Sequence, residues 1–533
     1  MMGVTIQLAA SLLVSYLVTT ILYNLYFHPL ARVPGPFLCR ISSLPSFYYA
    51  CKGNRHLWIR RNFQIYGTKF RAAPNVVLFN TPSAHTDIYG VRANTTRSSF
   101  YISWKRNEED VHTINSTDPV VHAKKRKLLN LVFTEQSLRA FDPFIISHVD
   151  RWVELNTMPA ENGDGRWSKE INMAHSIDYL LFDILGDLCF GESLNIKEPG
   201  ENKLRKLPHL IARYIATGYK VSKSPLYELI LYLRPRGLNK LLEKARQPIF
   251  KDYENFISTS VDKRIAAHKA DPYDNARKDM IHFLLTAIDP DTKLPAFSNC
   301  GHLLGEARLL VLAGTDTTAT TLAALFFYLA HNASVLEKLT REIRSTFASV
   351  HEITLGSKLG TCKYLRACID EALRMAHPAP GDLPREVLPG GTRIDGEVYP
   401  AGTIVGCAEW AMGRDEARYA DANTYRPERW IASSAEAGGS PSEEEVRGLK
   451  KAFHPFSSGP MNCAGQKLAI LEMLIVCART VFGAEMRLAP GLEGVGEGGE
   501  MEMGEDLRGV YVVKDHYLTE RNGPVLQFRR RLD

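Results

Sequence analysis

Several things are missing from this chain, and each absence removes a class of function. There is no internal repeat, so a solenoid or propeller is excluded. No run of lysine and arginine is long enough to track a nucleic-acid backbone, and the formal charge is only +6. DNA and RNA are therefore excluded as partners. The nine cysteines are odd in number and fall without paired spacings. That rules out a disulfide framework and points to a reducing compartment. The first 27 residues hold neither a charged side chain nor a proline. This run exceeds the roughly 20 residues that cross a bilayer core. A cleaved signal peptide would need a basic start, a shorter apolar core and a small-residue cleavage site, and none is convincing here.

Residues 1–27 are thus read as a transmembrane anchor. Arg32 and Arg40 follow it, and Tyr23, Tyr26 and Phe27 lie near its end. That asymmetry puts the body of the protein in the cytosol. Residues 28–36, with Pro29, Pro34, Gly35 and Pro36, read as a stiff tether. Residues 37–533 read as one large domain, since 45% of the 533 residues are hydrophobic and can fill a sizeable core. Tyr66 to Asn80 alternates and predicts a small sheet, whereas His122 to Val481 is mostly helical. The fold class is mainly α with small β-sheets (α+β). Ser433–Glu445 reads as a surface insertion. Gly491–Glu505 reads as a mobile loop between hairpin arms Glu485–Leu488 and Gly509–Val513.

What the chain does have is concentrated in four segments. Phe456-Ser-Ser-Gly459-Pro-Met-Asn-Cys463-Ala-Gly465 sets one cysteine at the mouth of a helix. Helix N-termini present free N–H groups and favour a thiolate. Gly459 and Gly465 would let the backbone approach something large and flat. A lone thiolate so placed suits an axial haem ligand and suits zinc poorly. Upstream, the helix from about His302 to Leu329 is apolar on nearly every face, so it is buried. Its middle nonetheless carries Ala313-Gly314-Thr-Asp316-Thr317-Thr318. Buried carboxylate and hydroxyls need a reason. Either they are satisfied polar groups in a kinked core helix, or they line a reaction groove. Glu371-Ala-Leu-Arg374 and Tyr425-Arg-Pro-Glu-Arg429-Trp430 complete the set.

In this order, the four segments resemble a cytochrome P450 of the eukaryotic microsomal type. Tyr26-Phe-His-Pro-Leu followed by Pro-Gly-Pro adds a fungal look. The resemblance implies the cytochrome P450 fold behind a single transmembrane helix, with haem b bound through Cys463 as the iron ligand. It implies a groove over the haem at Ala313 and Gly314, Thr317 as proton donor to dioxygen, and Asp316 as a water-mediated relay. Glu371, Arg374 and Arg429 would form a structural network without chemistry. Arg385, Arg126 and His122 would hold the propionates, and Phe456, Gly459 and Gly465 would shape the loop around the ligand. Met461 departs from the family, which usually has arginine or histidine there against a propionate. The implied activity is a monooxygenase inserting one oxygen atom into an apolar small molecule, with electrons from an NADPH-cytochrome reductase. A fungal secondary-metabolite pathway, the endoplasmic reticulum membrane and a monomeric state are the implied setting. Substrate-facing segments would be Arg97–Glu108, Leu207–Lys220 and Ala376–Leu383. Two alternatives stand beside this reading: a non-oxygenase member that rearranges or dehydrates its substrate, and a haem- or lipid-binding protein without turnover. Asp316-Thr317 argues against the first.

Overall fold

A computed structural model describes residues 2–105, 111–160, 166–244, 248–270, 277–289, 291–296, 300–432, 441–500 and 506–531. Helices form most of the body. The landmarks are α1 (Met2–Leu22), α2 (Pro119–Leu129), α3 (Met173–Phe190), α4 (Leu207–Lys223), α5 (Cys300–His331), α6 (Lys363–Met375) and α7 (Gln466–Gly483). Strands β1 (Lys69–Ala73), β2 (Val76–Phe79), β3 (Thr95–Arg97), β5 (Arg385–Val387) and β8 (Ile404–Cys407) form a five-stranded sheet in the order 1-2-8-5-3. Between them in sequence lie β4 (Ile171–Asn172) and the hairpin β6 (Thr392–Ile394) with β7 (Glu397–Tyr399). The C-terminal strands are β9 (Ala484–Leu488), β10 (Val513–His516), β11 (Leu518–Arg521) and β12 (Val525–Arg530).

The apolar reading of α5 is met by its surroundings. Ala319 and every residue from Leu322 to Leu329 are fully buried. Its apolar stretch would pass for a membrane span by length and composition, but 67% of that window is buried inside the protein. It packs along much of α3. Gly314 lets the two helices approach, since a Cβ there would stand 2.8 Å from Leu185 Cδ1. Local signals set the ends of the other helices. Asp118 accepts from the N–H groups of Val120 and Val121 at the start of α2, with Pro119 at its first position. Gly191 closes α3 at φ 77°.

Three expectations change. The hairpin arms predicted at Glu485–Leu488 and Gly509–Val513 do not pair. β9 pairs instead with β12, and β10 with β11, in a hairpin of its own. The first arm lies within β9, whereas of Gly509–Val513 only Val513 is strand, and a strand's sequence does not name its partner. Within Ser433–Glu445, residues 433–440 lie outside the described residues, and Ser442 forms a capping box with Glu445 that starts a helix over Glu443–Lys450. Residues 501–505 of the second predicted loop also lie outside the described residues. Finally, the stretch read as a stiff tether is also packed against the body. Leu30 and Val33 are buried, Arg71 N donates to Pro34 O at 2.7 Å, and Arg71 Nη1 donates to Asn24 O at 2.8 Å. Ahead of it, Val4–Phe27 is long and apolar enough to cross a membrane, and its residues up to Tyr23 are unburied while Asn24 is buried.

Candidate active site

The cysteine loop is built before its helix begins. Cys463 N donates to Phe456 O at 3.0 Å, which folds the segment back on itself. Gly459 sits at φ 68°, and a Cβ there would lie 1.9 Å from Tyr89 O. No side chain fits. Glycine is required at 459 by the helix over Pro82–Tyr89, not by a ligand, which corrects the expectation for this residue. Gly465 does face the cavity. Cys463 is deep in the fold, yet its side chain is exposed because it opens onto a cavity of about 440 Å³. Burial pushes its thiol up, while the N–H groups of Gly465 and Gln466 and the charge of Arg126 pull the other way. The helix N-terminus therefore does not secure a thiolate alone. An electrophilic metal displacing the proton would.

Across the cavity stand Ala313, Gly314 and Thr317 of α5, and Phe456, Met461 and Gly465 line the cysteine side. Thr317 Oγ1 donates to Ala313 O at 2.8 Å, the usual resting bond of a helical threonine. Asp316 points elsewhere. It is not part of this wall and instead ion-pairs with Arg521 at 2.9 Å. A relay to Thr317 must therefore pass through groups or water that the linear motif did not contain.

One end of the cavity is strongly cationic. Arg97, Arg126 and Arg385 all line it, and none is ion-paired among the described residues. Arg97 Nη1 donates to Thr113 O at 2.6 Å, and Arg385 Nη1 to the Tyr101 hydroxyl at 2.9 Å. Burial, with Arg385 beside it, brings Arg97 down to about 10. His122 is buried behind them and does not line the cavity. Burial and the three guanidiniums hold its pKa at about 3, so it is neutral, and its Nε2 has no partner. Buried cations without carboxylates call for anions from a ligand. A flat group with two acidic arms, held on its other side by one sulfur, fits what is present. Haem has this shape. Arg97, which opens a segment read from sequence as substrate-facing, stands at this cationic end in register with Arg385. Arg126 also ties the loop together, with Nη2 donating to Asn462 Oδ1 at 2.7 Å.

Glu371 is enclosed completely. Arg374 holds it through two bonds of 2.9 and 2.8 Å, and Arg429 Nε adds a third at 2.8 Å. Trp430 Nε1, not foreseen, donates at 2.9 Å. Despite burial, these cations keep the carboxyl below its ordinary value. None of the three lines this cavity, and the arginines also donate to the carbonyls of Gly413, Ala420 and Ala422, which orders the segment ahead of the cysteine loop.

A cytochrome P450 family model matches residues 34–490. The chain belongs to the cytochrome P450 family. It is 32% identical to the cytochrome P450 monooxygenase poxM of Penicillium oxalicum over 99% of this chain and 95% of that protein. It is 30% identical to AKT7 of Alternaria alternata over 99% and 98%, and 31% identical to fscF of Fusarium equiseti over 97% and 95%. Both are also named cytochrome P450 monooxygenases. This P450 is a monooxygenase.

The predicted substrate segments each reach the P450 cavity in part. Tyr101 and Trp104, Ile211, Tyr214 and Ile215, and His377, Pro378 and Leu383 line it, while residues 106–108 lie outside the described residues. Tyr517 and Leu518 were missed. Tyr517 is the turn of the β10–β11 hairpin and Leu518 the first residue of β11; Tyr517 takes φ 75° and stacks on Trp104 at 4.8 Å. A bulky residue so placed is uncommon. No short motif marks it.

Proposed function

We propose that this chain is a membrane-anchored monooxygenase that binds haem b through Cys463 and oxidises an apolar small molecule. The cavity carries the reading: a lone sulfur on one wall, a polar break in a buried helix on the other, and unpaired guanidiniums at one end. Haem, when bound, supplies oxygen binding and activation at its iron. Arg97, Arg126 and Arg385 would take the propionates. Met461 contributes packing where the family usually has a cation. The remaining lining is dominated by Trp104, Tyr214, Ile215, Phe250, Tyr253 and Leu309, so water is displaced and an apolar substrate is favoured over a charged one. Thr317 sits where its hydroxyl can leave Ala313 O and donate a proton into the cavity. Asp316 supplies that proton from behind.

Electrons would come from an NADPH-cytochrome reductase. Lys124 and Lys127 are exposed on α2 beside Arg126 and offer a basic docking face, tempered by Asp289 and Asp291 opposite them. The apolar N-terminal helix would place the enzyme in the endoplasmic reticulum membrane with its body in the cytosol, acting as a monomer. The fungal sources of the relatives extend the reading to fungal secondary metabolism. The test is reconstitution with a reductase. NADPH-dependent oxygen uptake with an oxygenated product is expected, together with a thiolate-type CO band on reduction. Turnover without oxygen uptake would favour a rearranging enzyme, and no turnover would favour a binding protein. Candidate metabolites are screened by the spin-state shift on binding.

A further inference from the structure

Asp316 lines a second cavity of about 80 Å³, which shares Ile211, Ile215 and Leu312 with the large one. Arg521 on β11 binds it there. Arg521 Nη1 donates to Asp316 Oδ1 and to Thr320 Oγ1, each at 2.9 Å. Its Nη2 donates to Asp178 on α3. Asp316 Oδ2 is buried and has no partner. Two carboxylates thus share one guanidinium, in a site where the side chains of Asp178, Asp316 and Arg521 are only 20%, 18% and 3% exposed. One negative charge is left over, and a proton removes it most simply. The small cavity has room for water by its volume. His175, His209 and Glu520 on its lining are exposed, so it opens to solvent.

We propose that Asp178, with Arg521, is the solvent-side half of the proton supply to the oxygen-activating site, taking protons from the small cavity and passing them to Asp316. The inference rests on the proton-delivery reading of Asp316 and Thr317. In the transfer, protonated Asp178 becomes a carboxylate and Asp316 becomes a neutral acid, with Oδ2 as the open acceptor. Water bridges them as needed. Arg521 keeps a carboxylate partner throughout, so net charge is unchanged. Water in the small cavity then returns a proton to Asp178. Asp178 acts through Asp316 and is a positioning residue.

Burial, reinforced by Asp316 and opposed by Arg521, raises Asp178 to about 7. Its other titratable neighbours are His175 and Tyr179 on α3, His209 on α4, Arg205 in the turn before α4, Glu520 beside Arg521, and Tyr511. Burial, then Arg521, lowers His175, so it stays neutral near pH 7.

The test uses the full-length holoenzyme with its reductase and the variants Asp178→Asn, Asp178→Glu and Asp316→Asn. An infrared pH titration of the resting enzyme should show a carboxylic acid titrating near pH 7 that is missing in Asp178→Asn. Product per NADPH should fall about tenfold in Asp178→Asn, in line with lost general acid supply, and its pH dependence near 7 should flatten. Asp178→Glu should restore both. If Asp316→Asn uncouples turnover while Asp178→Asn keeps the wild-type yield and pH profile, Asp178 has no part in the supply. An infrared band that persists in Asp178→Asn overturns the assignment as well. Full coupling in Asp316→Asn would instead remove the reading beneath it.

Discussion

Single residues decide the chemistry here, and most are recognised by what they lack. Cys463 lacks a second ligand beside it, and Arg97, Arg126 and Arg385 lack anions. Cys463→Ala should abolish the thiolate-type CO band, and retention of that band would defeat the ligand assignment. Thr317→Ala should leave haem content and substrate binding near wild type. Its NADPH consumption should shift to peroxide with about a tenfold loss of product, and unchanged coupling would exclude the hydroxyl as donor. Arg97→Met should hasten haem transfer to an apo-globin, because charge-assisted bonds of about 1.5–3 kcal/mol are lost. Transfer at the wild-type rate would place Arg97 back among substrate contacts. Arg97 shows a limit of reading residues from sequence. It ends β3, and only pairing with Arg385 across to β5 brings it to the cavity's cationic end.

At the scale of elements, motifs that close within one turn or loop were legible. Glu371 and Arg374 lie one helical turn apart, and Phe456 to Gly465 is a single loop. Contacts between distant elements were not. Arg521 joins Asp178 and Asp316 from β11, and nothing in the Ala313–Thr318 motif names it. In sequence the apolar, basic stretch Lys203–Tyr219 reads as a second membrane contact, and burial shifts that reading along the chain. Leu207, Ile215 and Tyr219 of that stretch are buried. The unburied apolar residues come next: Leu226, Leu229, Tyr232, Leu241 and Leu242 are 59%, 51%, 57%, 64% and 53% exposed. Arg236, Lys240 and Lys244 lie among them. A chain lacking residues 1–27 should still sediment with anionic vesicles. Combining that deletion with Leu229→Glu, Tyr232→Glu and Leu241→Glu should release it. Complete solubility of the deletion by itself would show that the 226–242 surface holds no lipid.

For the whole molecule, stability should carry the mark of Glu472. This carboxyl on α7 is buried, with Thr318 as a distant donor at 3.5 Å and Oε1 unpartnered. Burial raises it from 4.5 to about 8. The folded state therefore binds its proton more tightly than the unfolded chain. Any stability tied to that proton is intact below pH 4.5 and is lost progressively as pH rises to about 8. Glu472→Gln keeps the shape without the titration. Its melting temperature relative to wild type should climb between pH 5 and pH 8, and a constant difference would mean that Glu472 is not protonated in the fold. The broad class, mainly helical with small sheets, was readable because periodicity is local. Strand partners were not, since β9 meets β12 across about forty residues of chain.

The stitching of Arg71 to Asn24 and Pro34 has a mechanical consequence. A hinge needs a segment free to rotate, and here the first sheet grips the chain on both sides of Pro29. If the apolar helix stands in a bilayer, the body cannot swivel at that point and is carried as a rigid lever. Its mouth and its electron-accepting face then keep fixed bearings relative to the membrane plane. Any partner held in the same sheet of lipid would then meet that face by sliding and turning about one axis. Freeing that grip, as Arg71→Ala would, should speed the tumbling of the body on a vesicle before it changes anything in the active site.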